Sequence, residues 1–517
     1  MIKSCRLLTF GSVSQRIPGV TPSARPALPA ALDEAAHRCL VAGFAGTTTV
    51  PDDLVELIHR GLGGVILFTR NIRDADQVRE LTSTLRNLRS DLLIAIDNEG
   101  GGIGHLVTAG APEVPGNYAL GVVDDPALTA ACADALAAHL ASLGIGVSYA
   151  PVADLQHRGE NPIVRTRAFG SDPAVVARHL EAWISATEAR GVASCAKHFP
   201  GHGGTVTDSH YELAVDPRES TELDLAPFRA AIGAGVPMLM SAHVVFPALD
   251  PALPATLSPY ILGELLRGEL GFDGVLVSDA LEMKAIADGY GEAAGARLAL
   301  AAGADQVIVA VPELATTLAC RDAVLGALRD GSLGEERVGE AAARVRRLAD
   351  RYATPAVPGE AGSEEAGLAA ARRAVDKGEL ASAVAGAYVV DLFPRPHPAL
   401  NWGGESLVSA VREVDPGADG VAVAGEPEDR EEAVAEVLKE AAGRPLVVAT
   451  CDAELYPWQG WVKKALVAAR PDAVLVATGL PGAGDAGAVL SYGRGRVNLR
   501  AVAEVVAEPR TGTAPRP

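Results

Sequence analysis

Aromatic residues make up only 4% of this 517-residue chain, and methionine occurs four times. Large flat side chains therefore cannot fill the interior, and Ala, Val and Leu must do most of it within a hydrophobic content of 48%. The six cysteines, Cys5, Cys39, Cys132, Cys195, Cys320 and Cys451, lie far apart and form no CxxC pair. That argues against a zinc ribbon and against a disulfide scaffold. No apolar run reaches the roughly 18 residues that a membrane span needs. The first residues, MIKSCRLLTFGSVSQRIPGV, carry early positive charge without a sustained apolar segment, a poor secretion signal. No basic block appears either: the net charge is −20, which speaks against a phosphate-backbone partner and for a soluble acidic surface. These absences lead to the expectation of a cytoplasmic protein with no nucleic-acid or membrane partner, a monomer or a weak homo-oligomer.

What is present is alternation. From about Arg38 onward come eight short apolar runs: 41–45, 64–68, 92–97, 146–154, 194–199, 237–244, 274–280 and 306–310. Each is short and rich in Val, Ile or Leu, as a buried strand should be. Ala-rich amphipathic stretches lie between several of them, such as 126–144 and 173–191. The second carries a helix start, with Ser171 or Asp172 as cap and Pro173 in the first turn. Eight regularly spaced strands with intervening helices, with no GxGxxG turn among them, favour a (β/α)8 TIM-like barrel over the competing doubly wound open sheet. Four further apolar runs, 387–393, 420–425, 445–452 and 472–479, imply a smaller α/β sandwich domain of four to five strands. The expected organisation is a flexible N-terminal tail (1–30), a catalytic barrel (31–353), a Pro/Gly/Glu-rich linker (354–367), the α/β C-terminal domain (368–506) and a flexible tail (507–517).

Function in such a barrel sits where strands end. LLIAID ends in Asp97, SCAKHF carries Lys197 and His198, PMLMSAHV ends near His243, and GVLVSD ends in Asp279. A strand-end carboxylate such as Asp279 suits a nucleophile, a general base or a metal ligand, and equally an N-cap for the next helix. The loop after strand five, KHFPGHGGTVTDSHYELAVD, holds three of the chain's 11 histidines. Within it Asp208 and His210 are two apart, so in an extended segment they point the same way and the carboxylate can hold the imidazole. An Asx-turn with an incidental histidine is the plainer alternative. A metal on His198, His202 and His210 is not expected: no HxH or HExxH pattern supports it, and Lys197 would add positive charge beside the ion. No cofactor is implied.

Five motifs occur in order: LGGVILFTRNI (62–72), AIDNEGG (95–101), NPIVRTRAFGSDP (161–173), KHFPGHGGTVTDSH (197–210) and LGFDGVLVSDALEM (270–283). Together they resemble glycoside hydrolase family 3, in particular its β-N-acetylglucosaminidase (β-N-acetylhexosaminidase) branch. The resemblance implies a retaining exo-glycosidase acting on small β-N-acetylglucosaminides. By position it implies Asp279 as nucleophile, His210 as general acid/base with Asp208 as its partner, and Asp97, Arg167, Lys197 and His198 as sugar-binding residues. His243 would line the site. Three positions depart from the pattern: Gly102 and His105 stand where arginines are common, and Gly204 stands where Asp or Asn is common. A β-glucosidase, a phosphorylase using the same site, and a non-catalytic sugar-binding barrel are the alternatives.

Overall fold

The computed structural model describes residues 27–157, 159–219, 225–355, 365–395 and 405–507. The tails expected over 1–30 and 507–517 and the linker expected over 354–367 fall largely outside these residues. The eight runs become eight parallel strands: β1 (Leu40–Ala42), β2 (Gly64–Leu67), β3 (Leu93–Ile96), β4 (Val147–Ser148), β5 (Ala193–Phe199), β6 (Met238–Ser241), β7 (Val275–Ala280) and β8 (Gln306–Val309). Neighbours in sequence pair throughout, and β8 pairs back onto β1, so the sheet closes into a barrel.

Alternation along each strand sends one set of side chains inward and the other against the helices. Val41, Ile66, Ala95, Val147, Cys195, Met240, Val277 and Ile308 pack in the barrel interior. With so few aromatics, one helix supplies the bulk that closes the bottom. Glu335–Tyr352 brings Val345, Leu348 and Tyr352 into the inner cluster. Gly146, at the entry to β4, has to be glycine because a Cβ there would lie 1.9 Å from the Tyr352 carbonyl oxygen. Strand four is shorter than its apolar run. Pro151 has no N–H to give to the ladder, and beyond it only an isolated bridge between Val152 and Lys197 continues the pairing. The helix Pro173–Ala189 begins as its sequence implies: Asp172, rather than Ser171, accepts from the Ala174 N–H at 2.8 Å.

The second unit is a five-stranded parallel sheet: β9 (Tyr388–Phe393), β10 (Asp419–Ala424), β11 (Leu446–Thr450), β12 (Val474–Ala477) and β13 (Val489–Leu490), in the order β10-β9-β11-β12-β13. Both faces are covered, as a parallel sheet requires. Val389 and Val447 face Leu499 and Val502, while Val390 and Val448 face Trp458 and Val462. Ion pairs tie this unit to the barrel, among them Arg373 to Asp125 at 2.6 Å and Arg496 to Glu113 at 2.8 Å. Among the described residues, no helix is long and apolar enough to cross a membrane.

Candidate active site

A cavity of about 440 Å³ opens at the C-terminal ends of the barrel strands, a volume within the usual range for small-molecule sites. Asp97, Arg167, Lys197, His198, His210 and Asp279 all line it. Asp208 stands immediately behind His210.

Asp279 comes from the end of β7. The pairing of β7 with β8 slips between Val277 and Ala280, and such an irregularity re-aims the side chains next to it. The carboxylate accepts from the Ala280 N–H at 2.7 Å. Burial alone would raise its pKa, yet the His198, His243 and His210 imidazoles and that N–H outweigh it, and the pKa lies below the usual carboxylate range. The N-cap alternative does not apply, because the next helix begins at Lys284 behind Met283.

Lys197 and His198 are adjacent in β5, yet both face the cavity. A register shift against β6 between Lys197 and Phe199 breaks the alternation there. Lys197 Nζ lies 2.6 Å from Asp97 and 2.7 Å from Glu99. Glu99 also receives Arg167 in a two-pronged pair, Nη2 to Oε1 at 2.8 Å and Nε to Oε2 at 2.9 Å. Two anions and two cations therefore share one buried patch. Burial would raise the Glu99 pKa, but Arg167 and Lys197 hold it far below the usual range. Burial likewise works against the charges of Lys197 and Arg167, and the facing carboxylates reverse that and raise both. The result is a fixed wall in which ion-paired donors, Lys197 and Arg167, stand beside carboxylate acceptors, Asp97 and Glu99.

Glu99 and Asp154 are the site residues that sequence reasoning missed. Asp154 is fully buried and accepts from His198 Nδ1 at 2.7 Å and from the His202 N–H at 2.7 Å. A signal existed for it, since it closes the fourth apolar run as Asp97 closes the third. Glu99 had none locally, because Arg167 and Lys197 are far away in sequence. Its loss should be costly. Glu99→Gln leaves two buried cations short of an anion and is expected to destabilise the chain by about 3 kcal/mol, read as a lower urea midpoint at neutral pH. Because the folded pKa is depressed, this contribution is present above the ordinary carboxylate range and disappears as pH falls through the folded value. The gap between wild type and variant should therefore narrow in acid.

The three loop histidine rings have three separate sets of hydrogen-bond partners. His198 is held by Asp154. His202 uses both ring nitrogens inside the loop, Nδ1 with Thr205 Oγ1 at 2.9 Å and Nε2 with Ser209 Oγ at 3.0 Å, and burial pushes its pKa down to about 4. His210 Nδ1 lies 2.8 Å from Asp208 Oδ1. That oxygen also accepts the His210 backbone N–H at 2.8 Å. Asp208 thus reaches the ring through an Asx-turn rather than along an extended strand, and the turn read as the rival to a dyad is what builds it. Gly204 fits without a side chain because the Asp216–Arg218 pair occupies the space, 2.3 Å from where its Cβ would be.

His243 corrects an expectation. It sits behind the cavity wall, fully buried, with Nδ1 bound to Thr256 Oγ1 at 2.8 Å and Nε2 to the Ala280 carbonyl at 3.0 Å. It braces the turn that follows Asp279. Of the two positions where arginines are common, His105 lies in the cavity wall, bound to Thr69 Oγ1 at 2.9 Å and edge-on to Phe68. Burial lowers its pKa, which favours the neutral ring. Gly102 instead lines a small crevice shared with the second unit.

Comparison with known proteins points one way. The N-terminal domain of glycosyl hydrolase family 3 matches residues 47–348. A beta-hexosaminidase of Alkalilimnicola ehrlichii is 41% identical over 280 residues, covering 52% of this chain and 80% of that protein. A family 3 beta-N-acetylglucosaminidase from a Paenibacillus species superposes with a TM-score of 0.83 at 32% identity, over 93% of this chain and 98% of that one. The NagZ of Neisseria gonorrhoeae, solved with N-trifluoroacetyl-D-glucosamine, gives a TM-score of 0.52 at 33% identity, over 60% of this chain and 97% of that one.

Proposed function

The chain belongs to glycosyl hydrolase family 3, and on that premise we propose that it is a retaining exo-β-N-acetylglucosaminidase acting on small cell-wall or chitin-derived saccharides. The observation that carries the reading is the sharing of one cavity by an acidic strand-end carboxylate, Asp279, and an imidazole braced by Asp208, His210. The relatives named beta-hexosaminidase and the N-acylated amino sugar bound by the Neisseria protein support the choice of sugar.

Cleavage proceeds in two displacements. An Asp279 oxygen attacks the anomeric carbon while the bond to the leaving oxygen breaks, and His210 gives that oxygen its proton. Asp208 engages Nδ1, so proton exchange with substrate falls to Nε2, and the positive charge of the protonated ring is balanced by the nearby carboxylate. The product is a glycosyl ester on Asp279. Neutral His210 then takes a proton from water, the water oxygen attacks the same carbon, and Asp279 departs, restoring the β configuration. Most retaining glycosidases use a second carboxylate for this proton work. Meanwhile Lys197, Arg167, Asp97 and His198 hold the sugar hydroxyls, and the pairing of Lys197 with Asp97, of Arg167 with Glu99 and of His198 with Asp154 keeps them in place before substrate arrives.

A panel of aryl β-N-acetylglucosaminide, β-glucoside and β-xyloside, each with and without phosphate, tests the reading. The N-acetylglucosaminide should be the preferred substrate, with free sugar as product at a rate independent of phosphate. Preference for the glucoside would move the substrate class. Sugar 1-phosphate as the main product would replace hydrolysis by phosphorolysis, which an imidazole tolerates better than a carboxylate because it does not repel the incoming anion.

A further inference from the structure

Two non-glycine residues with left-handed backbones meet between the two units: Arg165, with φ 41°, and Asp452, with φ 59°. Such conformations are unfavourable for residues with a Cβ and persist where surrounding contacts enforce them. Asp452 follows β11 of the second unit. Its Oδ1 accepts from Arg165 Nη2 at 2.7 Å and from the Leu480 N–H at 2.8 Å. The pair is almost enclosed, with side chains 9% and 11% exposed.

From Arg165 the contacts run in two directions. Along the chain, Arg165 opens the short turn Arg165–Arg167, so its placement sets the start of the segment that aims Arg167 at Glu99. Across the loop, Arg165 Nη1 donates to the carbonyls of Gly159 and Asn161 at 2.7 and 3.1 Å. The Asn161 amide donates in turn to the carbonyls of His202 and Thr205 at 2.8 and 3.1 Å. The His202 ring closes the path onto Ser209, which lies between Asp208 and His210. Asn161, His202 and Thr205, which link Arg165 to Ser209, are all buried.

We propose that Asp452 is a positioning residue for glycoside cleavage, through which the second unit fixes both the turn bearing Arg167 and the loop bearing the Asp208–His210 dyad. The role rests on the reading of His210 as the acid/base. It makes the second unit a working part of the active site although, among the described residues, none of that unit lines the sugar cavity.

Two measurements on the full chain test this. In Asp452→Ala, kcat/KM for an aryl β-N-acetylglucosaminide with a poor leaving group should fall about 10-fold, a fraction of what proton donation supplies, and much less for a dinitrophenyl leaving group. Asp452→Asn, which keeps an acceptor at Oδ1 and the shape of the side chain, should recover most of the loss. No loss on either substrate overturns the positioning role, and an equal loss on both overturns its reach to the dyad. Amide hydrogen exchange gives a readout that does not depend on turnover. Peptides covering 159–169 and 199–211 should exchange faster in Asp452→Ala, while those of β7 and β8 stay as in wild type. Unchanged exchange in the two loops overturns the inference whatever the activity. Faster loop exchange with no wild-type turnover of any glycoside would instead leave the clamp standing and remove the glycosidase reading.

Discussion

Asp279→Asn is expected to abolish turnover, with kcat on an aryl β-N-acetylglucosaminide lower by about 10⁴-fold or more, as for loss of other nucleophiles. Asparagine has the same shape but no charge, so it can still sit against the Ala280 N–H while forming no glycosyl ester. Binding should survive, because the wall of Lys197, Arg167, Asp97 and His198 is untouched. Intact-protein mass spectrometry after a fluorinated mechanism-based N-acetylglucosaminide should find an adduct on wild type and none on the variant. Wild-type-like activity in Asp279→Asn would remove Asp279 from the mechanism. Binding without an adduct on wild type would favour the sugar-binding barrel instead. The pH profile provides a second check. Only the ionised carboxylate attacks, and the pKa of Asp279 is lowered by the neighbouring imidazoles and the Ala280 N–H despite burial. Wild-type kcat/KM should therefore persist through the ordinary carboxylate range on the acid side and fall only below it.

What the sequence disclosed follows from how local each signal is. Strands β1 to β8 were legible because a strand buried on both faces has to be a short apolar run, and the runs at 64–68 and 274–280 contain the strands Gly64–Leu67 and Val275–Ala280 within a residue or so. Strand four was read too long because apolarity alone does not register the missing N–H of Pro151. The strand Val489–Leu490 was invisible, since two residues carry no pattern. Asp279, Lys197 and His198 stood out as polar residues at strand ends, whereas Glu99 lies past its strand and owes its place to partners 68 and 98 residues on. The reach of the second unit was the least legible feature. Arg165 and Asp452 are 287 residues apart, and nothing in either neighbourhood marks a buried pair. His243 shows the opposite error: a strand-end histidine looks like a site residue until both its nitrogens are found satisfied from behind.

His210→Ala carries the second large effect, and its size should depend on the leaving group. Where the leaving oxygen is a sugar hydroxyl, it cannot depart without a proton, and kcat/KM should drop about 10³-fold, within the range that a positioned acid supplies. A dinitrophenolate leaves unaided, so glycosylation of Asp279 should be nearly as fast as in wild type. The slow step then becomes the second displacement, which lacks its base, and glycosyl-enzyme should accumulate. Azide needs no base: it attacks the anomeric carbon, Asp279 departs, and β-glycosyl azide forms as turnover recovers. Asp208→Asn separates the two jobs of that side chain. Its Oδ1 can still accept the His210 backbone N–H and hold the Asx-turn, but the charge facing Nδ1 is gone. The loss should therefore be smaller than in His210→Ala, and again greater for poor leaving groups. If His210→Ala loses equally on all leaving groups and azide restores nothing, His210 binds substrate and the proton donor lies elsewhere in the cavity.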